Sequence, residues 1–372
     1  MKSNYRALSE LIEKVDERND DGAITELIGV SIDKCFIESV ANTNGTDLSK
    51  YKIIRKNEFA VSLMQVSRDS KIPVARLEDY EVAIMSPAYP IFRVKDTRKI
   101  LPEYLDMWFK RPEFDREAAF IAVGGVRGSM PWEEFVKMKL PVPTIEKQLE
   151  IVNSYKAITE RIALKQKIND NLLDSVQAIF RSWFVDYDPF DGVCPSNWET
   201  GCVEDIAEFF DSMRKPLSSL ERTDMERIYP YYGAVSIVDY VDDYIFDGEY
   251  LLVSEDGIYV VDENGHPLIQ HISGKFWANN HAHILKGKSG FNEDSLYLFL
   301  ANTNMAPIVT GAAQPKINQA NLKSFPITIP DSETMLKFNN IIQPFFDQRL
   351  TNESEIKKLE ALQSLLLTRL VD

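Results

Sequence analysis

With 372 residues, 44% hydrophobic and 27% charged, the chain has material for two or three domains of the usual roughly 100–200 residues, each able to bury a core. No apolar run reaches the roughly 18 residues of a membrane span, and the start MKSNYRALSELIEKVDERND lacks an apolar signal core. Cys35, Cys194 and Cys202 show no paired spacing, which argues against a disulfide framework or zinc ribbon, so a cytoplasmic protein with reduced thiols is expected. The net charge of −15 is uneven: residues 191–330 alone carry −11, which makes this region a poor polyanion binder by itself, since affinity for DNA comes largely from Lys and Arg at phosphates.

Residues 1–145 read as mixed strand and short helix. YKIIRKNEFAVSLMQV and YEVAIMSPAYPIFRV have the β-branched and aromatic content of strands, and ILPEYLDMWFKRPEFDREAAF reads as one helix. Residues 146–190 form a first long helix, capped by Thr144 ahead of Glu146 and running to about Trp183. Residues 191–330 repeat the earlier order, with strands in YIFDGEYLLVSEDGIYVV and FWANNHAHILKGK and a helix in NEDSLYLFLANTN. Residues 331–372 give a second long helix, with Ser332 as the expected cap and a bend expected at Pro344, because proline removes a helical hydrogen bond.

The chain contains itself twice, shifted by 187 residues: GGVRGSMPWEEFVKMKLPVP (Gly124 to Pro143) corresponds to GAAQPKINQANLKSFPITIP (Gly311 to Pro330), and each runs into a long helix. In the first helix Ile151, Tyr155, Ile158, Ile162, Lys165, Asn169, Leu172, Val176, Ile179 and Trp183 step by alternating fours and threes. In the second Phe338, Ile342, Phe345, Arg349, Asn352, Ile356, Leu359, Gln363, Leu366 and Leu370 do likewise. The order domain, helix, domain, helix makes antiparallel pairing of the two helices the simplest arrangement, with facing residues whose numbers sum to about 521. Asn169 then meets Asn352, Trp183 meets Phe338, and Arg349 must reach an edge or a carboxylate. The expected fold is therefore α+β: two similar mixed α/β domains separated by two long helices pairing as an antiparallel coiled coil, with an internal pseudo-two-fold repeat.

The duplicated GAAQPKINQANLKSFPITIP segment, the stretches YPYYGAVSIVDYVDDYIFDGEYLLVSEDG and FWANNHAHIL, and the helix end IFRSWFVDYDPF resemble the DNA-specificity subunits of type I restriction-modification systems. The likeness covers nearly the whole chain and is strongest over 179–330; the first domain has GGVRGSM in place of GAAQPKI. The resemblance implies a non-catalytic subunit without a cofactor. In it each target-recognition domain reads one half of a bipartite, non-palindromic site in double-stranded DNA. The helices set the spacing and dock methyltransferase subunits, expected to be two, and a restriction/translocase subunit joins through the complex. A coiled-coil scaffold that keeps the fold but has lost DNA reading is the alternative, and the acidity of the second domain favours it.

Arg127 and Ser129 in the first loop, and Gln314, Lys316, Asn318 and Gln319 in the second, offer groups suited to base edges and phosphates, although the glycines and Pro315 could equally just shape a turn. Arg68, Lys71, Arg76 and Arg93, and Arg214, Lys215, Lys275, Lys286 and Lys288, are the phosphate candidates. Ile151, Ile158, Ile162, Asn169, Leu172, Trp183, Phe338, Phe345, Asn352 and Leu366 are the helix-interface and partner candidates, and Phe180, Trp183 and Phe184 are expected to pack the first helix on the second domain. His281 and His283 lack a third ligand at metal spacing, so hydrogen bonding within the domain is expected of them, and a core position of Tyr231 and Tyr232. Asp188-Pro189-Phe190 is half of an amino-methyltransferase motif with no glycine-rich cofactor loop. No P-loop is present, and a nuclease-like set of Pro330-Asp331, Glu355 and Lys357 lies too far spread along a helix to converge.

Overall fold

The computed structural model describes every residue except 1–3, 40–46, 65, 124–127, 258–259, 312 and 372. The chain divides into two units, residues 1–165 with 354–372, and residues 166–353, so each long helix contributes one end to each unit.

In the first unit the elements are β1 (Tyr5–Ala7), α1 (Leu8–Leu11), β2 (Ile12–Val15), β3 (Ile28–Val30), β4 (Phe36–Glu38), β5 (Lys52–Arg55), β6 (Phe59–Val61), α2 (Val66–Asp69), β7 (Val74–Arg76), β8 (Val82–Met85), β9 (Ile91–Val94), α3 (Pro102–Phe109), α4 (Pro112–Ile121), α5 (Trp132–Phe135), β10 (Lys139–Pro141) and the start of α6 (Ile145–Phe184). The single helix expected over 100–120 is two. Pro112 forces Arg111 into an extended backbone (ψ 135°) and then opens α4 at its first position, where a missing N–H costs nothing. Phe59, Phe92, Phe109, Phe114 and Phe135 are all buried and stack or meet edge-on, with Phe59 and Phe92 at 5.2 Å, so this core is built on aromatic contacts.

In the second unit come β11 (Glu199–Cys202), α7 (Val203–Ile206), β12 (Ala207–Phe209), α8 (Ser219–Thr223), β13 (Tyr229–Tyr232), β14 (Ile237–Val241), β15 (Phe246–Ser254), β16 (Ile269–Ala278), β17 (Ala282–Gly287), α9 (Glu293–Ala301), α10 (Gln319–Lys323), β18 (Pro326–Ile329) and the start of α11 (Ser332–Thr368). The repeat seen in sequence holds in topology. The antiparallel order β2-β9-β6-β7 recurs as β12-β17-β15-β16, and the pair β1-β10 recurs as β11-β18. The second unit extends its sheet by β13, parallel to β16, and then by β14.

Each predicted seam position on the long helices is buried or half-buried. In the first unit Ile151 and Tyr155 pack on a core that holds Leu367 and Leu370, Gln363 Nε2 donates to Thr159 Oγ1 (2.7 Å), and Lys165 Nζ meets Glu355 (2.7 Å). In the second, Asn352 Nδ2 donates to Asn169 Oδ1 (2.8 Å) and Trp183 lies 5.8 Å from Phe338. These pairs run antiparallel and keep the predicted sum of about 521. Arg349 finds a carboxylate, Glu353, at 4.0 Å, with its guanidinium over the Phe346 ring. Phe180, Trp183 and Phe184 pack on α9 and α11, with Phe184 4.7 Å from both Phe299 and Phe338; full burial of one such ring contributes ~1.5–3 kcal/mol.

One detail of the helices differs from expectation. The cap of α11 is Asp331, whose Oδ1 accepts from the Glu333 and Thr334 amides (3.1 Å each), while Ser332 is already helical; a carboxylate can serve both amides and also favours the positive helix end. The helix runs through Pro344, which is exposed, with Ile342 and Phe346 buried on either side. Thr144 caps α6 as expected, accepting from Lys147 N at 3.4 Å.

Candidate nucleic-acid interface

The duplicated loop ends in the same hydrogen bond in both units. In the first, the Met130 amide donates to Leu63 O (2.8 Å), and in the second the Ile317 amide, 187 residues on, donates to Glu255 O (2.9 Å). Each loop is thereby tied to the chain leaving a central strand, β6 or β15. Glycine is needed at one point in each. Gly128 has φ +71°, and a Cβ there would lie 2.3 Å from Ser67 Oγ; Gly311 has φ +86°, and a Cβ would lie 2.4 Å from Gln314 O. Reciprocal backbone bonds between Thr310 and Lys316 (2.8 Å each) close the second loop.

Among the residues expected to contact DNA, Arg127 lies outside the described residues. Ser129 is half-buried beside Gly128, whose would-be Cβ comes within 3.5 Å of the Arg68 amide, so the first loop and α2 are brought together. Arg68 pairs with Asp69 (2.6 Å), Lys71 with Asp33 (3.6 Å) and Arg93 with Glu13 (2.7 Å). Arg76 is no surface cation: it is held among Asn57, Glu78 and Glu103. In the second unit Gln314 is exposed at the loop tip, Asn318 caps α10 by accepting from Asn321 N (2.8 Å), and Gln319 is the first residue of that helix. Lys275 and Lys286 sit over the Tyr244 and Tyr250 rings at 4.4 Å. Tyr231 is buried and its hydroxyl accepts from the Leu217 amide (2.9 Å); Tyr232 meets Phe276 edge-on.

Lys316 belongs to a charged knot that residue spacing alone did not reveal. Its Nζ lies 2.8 Å from Glu255; Arg214 bonds Glu255 (2.7 Å), Ala282 O (2.7 Å) and approaches Asp211 (3.3 Å). His283 Nδ1 meets Asp211 (2.6 Å), its Nε2 meets Ile317 O (2.8 Å), and His281 meets Asp256 (2.6 Å). The knot therefore joins the end of β15, β17, the turn after β12 and the loop at 310–317. Burial would raise the Asp211 carboxyl, but the bond and charge of His283, the Ile284 amide and Arg214 outweigh it and hold it below its usual range. Glu255 follows the same balance through Lys316 and Arg214, and Lys316 is raised in return by its bond to Glu255. Asp211, Glu255 and His283 bring ligand atoms within 4.8 Å of one another. Cationic side chains already lie on both carboxylates, and both His283 nitrogens face acceptor oxygens, so these donors are spent on the protein itself. Only the alternation NHAH hinted at this arrangement; the acidic partners lie 25–72 residues away in sequence.

Comparison with known proteins finds sequences and structures similar to this chain. Residues 195–362 match the model of the type I restriction modification DNA specificity domain. A Haemophilus influenzae protein assigned as the type I restriction enzyme specificity subunit S.HindORF215P is 39% identical over 128 residues, which is 34% of this chain and 32% of that protein. The type I restriction enzyme MjaIX specificity subunit of Methanocaldococcus jannaschii is 22% identical over 297 residues, 73% of this chain and 68% of the relative. The chain thus spans about a third of the length of the first relative and about two thirds of the second. The crystal structure of a type I restriction-modification S subunit from M. genitalium has the same fold, with a TM-score of 0.60 at 14% identity over 99% of this chain and 96% of that one. Among the described residues no helix is long and apolar enough to cross a membrane. The matched domain over 195–362, the partial sequence likeness and the shared fold together make the chain similar to type I restriction enzyme specificity subunits.

Proposed function

We propose that the chain is the specificity subunit of a type I restriction-modification complex in the cytoplasm, in which residues 1–145 and 191–330 each read one half of a bipartite DNA site and helices 146–190 and 331–372 set the spacing and dock two methyltransferase subunits. The restriction/translocase subunit joins through that complex, and this chain performs no chemistry of its own. The observation that carries the reading is the twice-built loop: one backbone anchor, Met130 to Leu63 and Ile317 to Glu255, presents unlike side chains, Ser129 in one unit and Gln314 and Lys316 in the other. A shared anchor that presents different side chains is what two unlike half-sites require. The test is methylome mapping in cells that express the chain with its methyltransferase. An interrupted, non-palindromic motif is expected, and exchange of residues 1–145 for those of another specificity subunit changes one half only. A palindromic motif, or change in both halves, overturns independent reading. The scaffold alternative draws on the acidity of residues 191–330 and on Lys316 being held by Glu255 and Asp256; unmodified DNA under the same expression is its signature.

A further inference from the structure

We infer that the hairpin β13–β14 of the second unit is a docking edge for a lysine- or arginine-rich segment of the methyltransferase subunit, which adds as a further strand along β14. The inference rests on the proposed function for the identity of the partner. Its structural basis is independent of the loop at 310–317. Among the described residues β14 is the last strand of the order β12-β17-β15-β16-β13-β14 and pairs with β13 alone. A free edge offers unpaired backbone groups, and proteins usually shield such edges with Lys, Pro or a covering segment. β14, with the sequence IVDYV, contains neither Lys nor Pro.

The outer strand also exposes apolar residues on both faces. Neighbouring residues Ile237 (41% exposed) and Val238 (55%) point to opposite faces of a strand, and both are open to solvent, as are Tyr240, Val235 at the tip and Ile228 at the base. A run of this kind on a monomer marks an interaction surface rather than scattered surface hydrophobics.

The rim selects the occupant. Asp224, Glu226, Asp242 and Asp243 are exposed around the hairpin and have no ion pair among the described residues, while Asp239 within β14 is held by Arg222 (3.1 Å) and Arg227 (3.8 Å). The four unpaired carboxylates outnumber the exposed cations beside them, Arg227 and Lys275, so phosphates are disfavoured there. A second copy does not fit either. Strand pairing of two β14 edges would set the same carboxylates against each other on chains of net charge −15. An extended segment with alternating apolar and basic side chains satisfies the free backbone, covers Ile237, Val238 and Tyr240, and neutralises the rim.

The experiment uses the full chain and the purified methyltransferase subunit of its own system. Amide hydrogen exchange across 237–241 is expected to slow on adding the methyltransferase, and the D242K/D243K variant to bind it about tenfold more weakly or worse, with D242N/D243N intermediate. The variants lie outside the loops at 123–130 and 310–317, so the methylated sequence should stay the same when complex is driven to form at high concentration. If the methyltransferase binds wild type and variant equally and 237–241 exchanges as before, the docking edge is refuted while the specificity-subunit reading stands. Protection of 237–241 by duplex DNA alone, or by raising the concentration of the chain alone, also refutes it. No binding of the methyltransferase by the wild-type chain overturns both.

Discussion

Replacing the two seam asparagines tests the helix register and the energetics of a buried polar layer together. Asn169 and Asn352 are 9% and 2% exposed and joined by one hydrogen bond of 2.8 Å, with Gln348 Nε2 donating to Asn352 Oδ1 at 3.1 Å. Asn352→Leu removes the donor from a buried Asn169 oxygen and the acceptor from Gln348; Asn169→Leu removes the acceptor from Asn352. Each single change should cost about 1–3 kcal/mol, the penalty of leaving a buried polar group without its partner. The double change to leucine loses two bonds, each with a net worth of about 1 kcal/mol, and gains the burial of two apolar side chains, so it should be roughly 1–3 kcal/mol more stable than wild type. The coupling between the sites then exceeds about 2 kcal/mol. Urea unfolding of all four proteins, followed by both far-UV circular dichroism and tryptophan fluorescence, measures this. A double variant as unstable as the sum of the singles, or singles indistinguishable from wild type, would show that the layer is not a mutually satisfied pair.

Asp294 is raised to about 7 by burial, with Glu249, Asp347 and Glu293 adding to it, whereas His271 is lowered to about 4 by burial and then by Arg349. A carboxyl raised in the folded state loses stability as pH rises from its usual 3.8 through 7, and a histidine lowered to about 4 gains it from 4 to 6.5, so Asp294→Asn should stabilise on the order of 2 kcal/mol at pH 8 and little at pH 4, and a flat difference between melts at the two pH values refutes it. Gly311→Ala should strain the second loop, since φ is +86° and the added Cβ meets Gln314 O at 2.4 Å; the methylome should lose fidelity in the second half-site only, and equal loss in both halves would contradict this. One heptad inserted after Asn169 lengthens α6 by about 10 Å, roughly three base pairs, so the spacer between half-sites should lengthen or modification should fail, and an unchanged spacer means the helix is not the ruler.

The long-range architecture was more legible than the site. A shift of 187 residues and a four-three step along two helices suffice to set the antiparallel seam, because only one alignment places Asn169 on Asn352 and Trp183 on Phe338 together. Local competition decided what pattern alone could not: Pro112 split a helix that periodicity read as one, and the Asp331 carboxylate outcompeted the Ser332 hydroxyl as cap. The knot around His283 was illegible for a different reason. Asp211, Glu255 and Lys316 come from separate turns and strands, and nothing local distinguishes a surface lysine from one held by Glu255 at 2.8 Å. The hairpin edge was hidden in the same way, because IVDYV reads equally well as an inner or an outer strand until its neighbours are known.

The same ion pairs bear on how so acidic a chain could read DNA. Of the cations expected at phosphates, Arg68, Lys71 and Arg93 each already face a carboxylate, and Lys316 faces Glu255 at 2.8 Å and Asp256 at 3.9 Å. Exposed pairs of this kind are worth little, about 0–1 kcal/mol, so Arg68, Lys71 and Arg93 could be redirected to phosphates cheaply; Lys316 sits against a carboxylate that Arg214 also holds and would move at greater cost. Each phosphate contact releases counterions and adds about −0.9 to the slope of log affinity against log salt. The isolated chain should therefore bind duplex DNA weakly with a shallow salt slope. Adding the methyltransferase should raise affinity and steepen the slope together, because the added phosphate contacts come from the partner. Titrations of a duplex bearing the methylated motif at several salt concentrations, with and without methyltransferase, measure both quantities. Tight binding by the chain alone that persists at high salt would mean that its own side chains supply the contacts, and the acidity of residues 191–330 would then need another explanation.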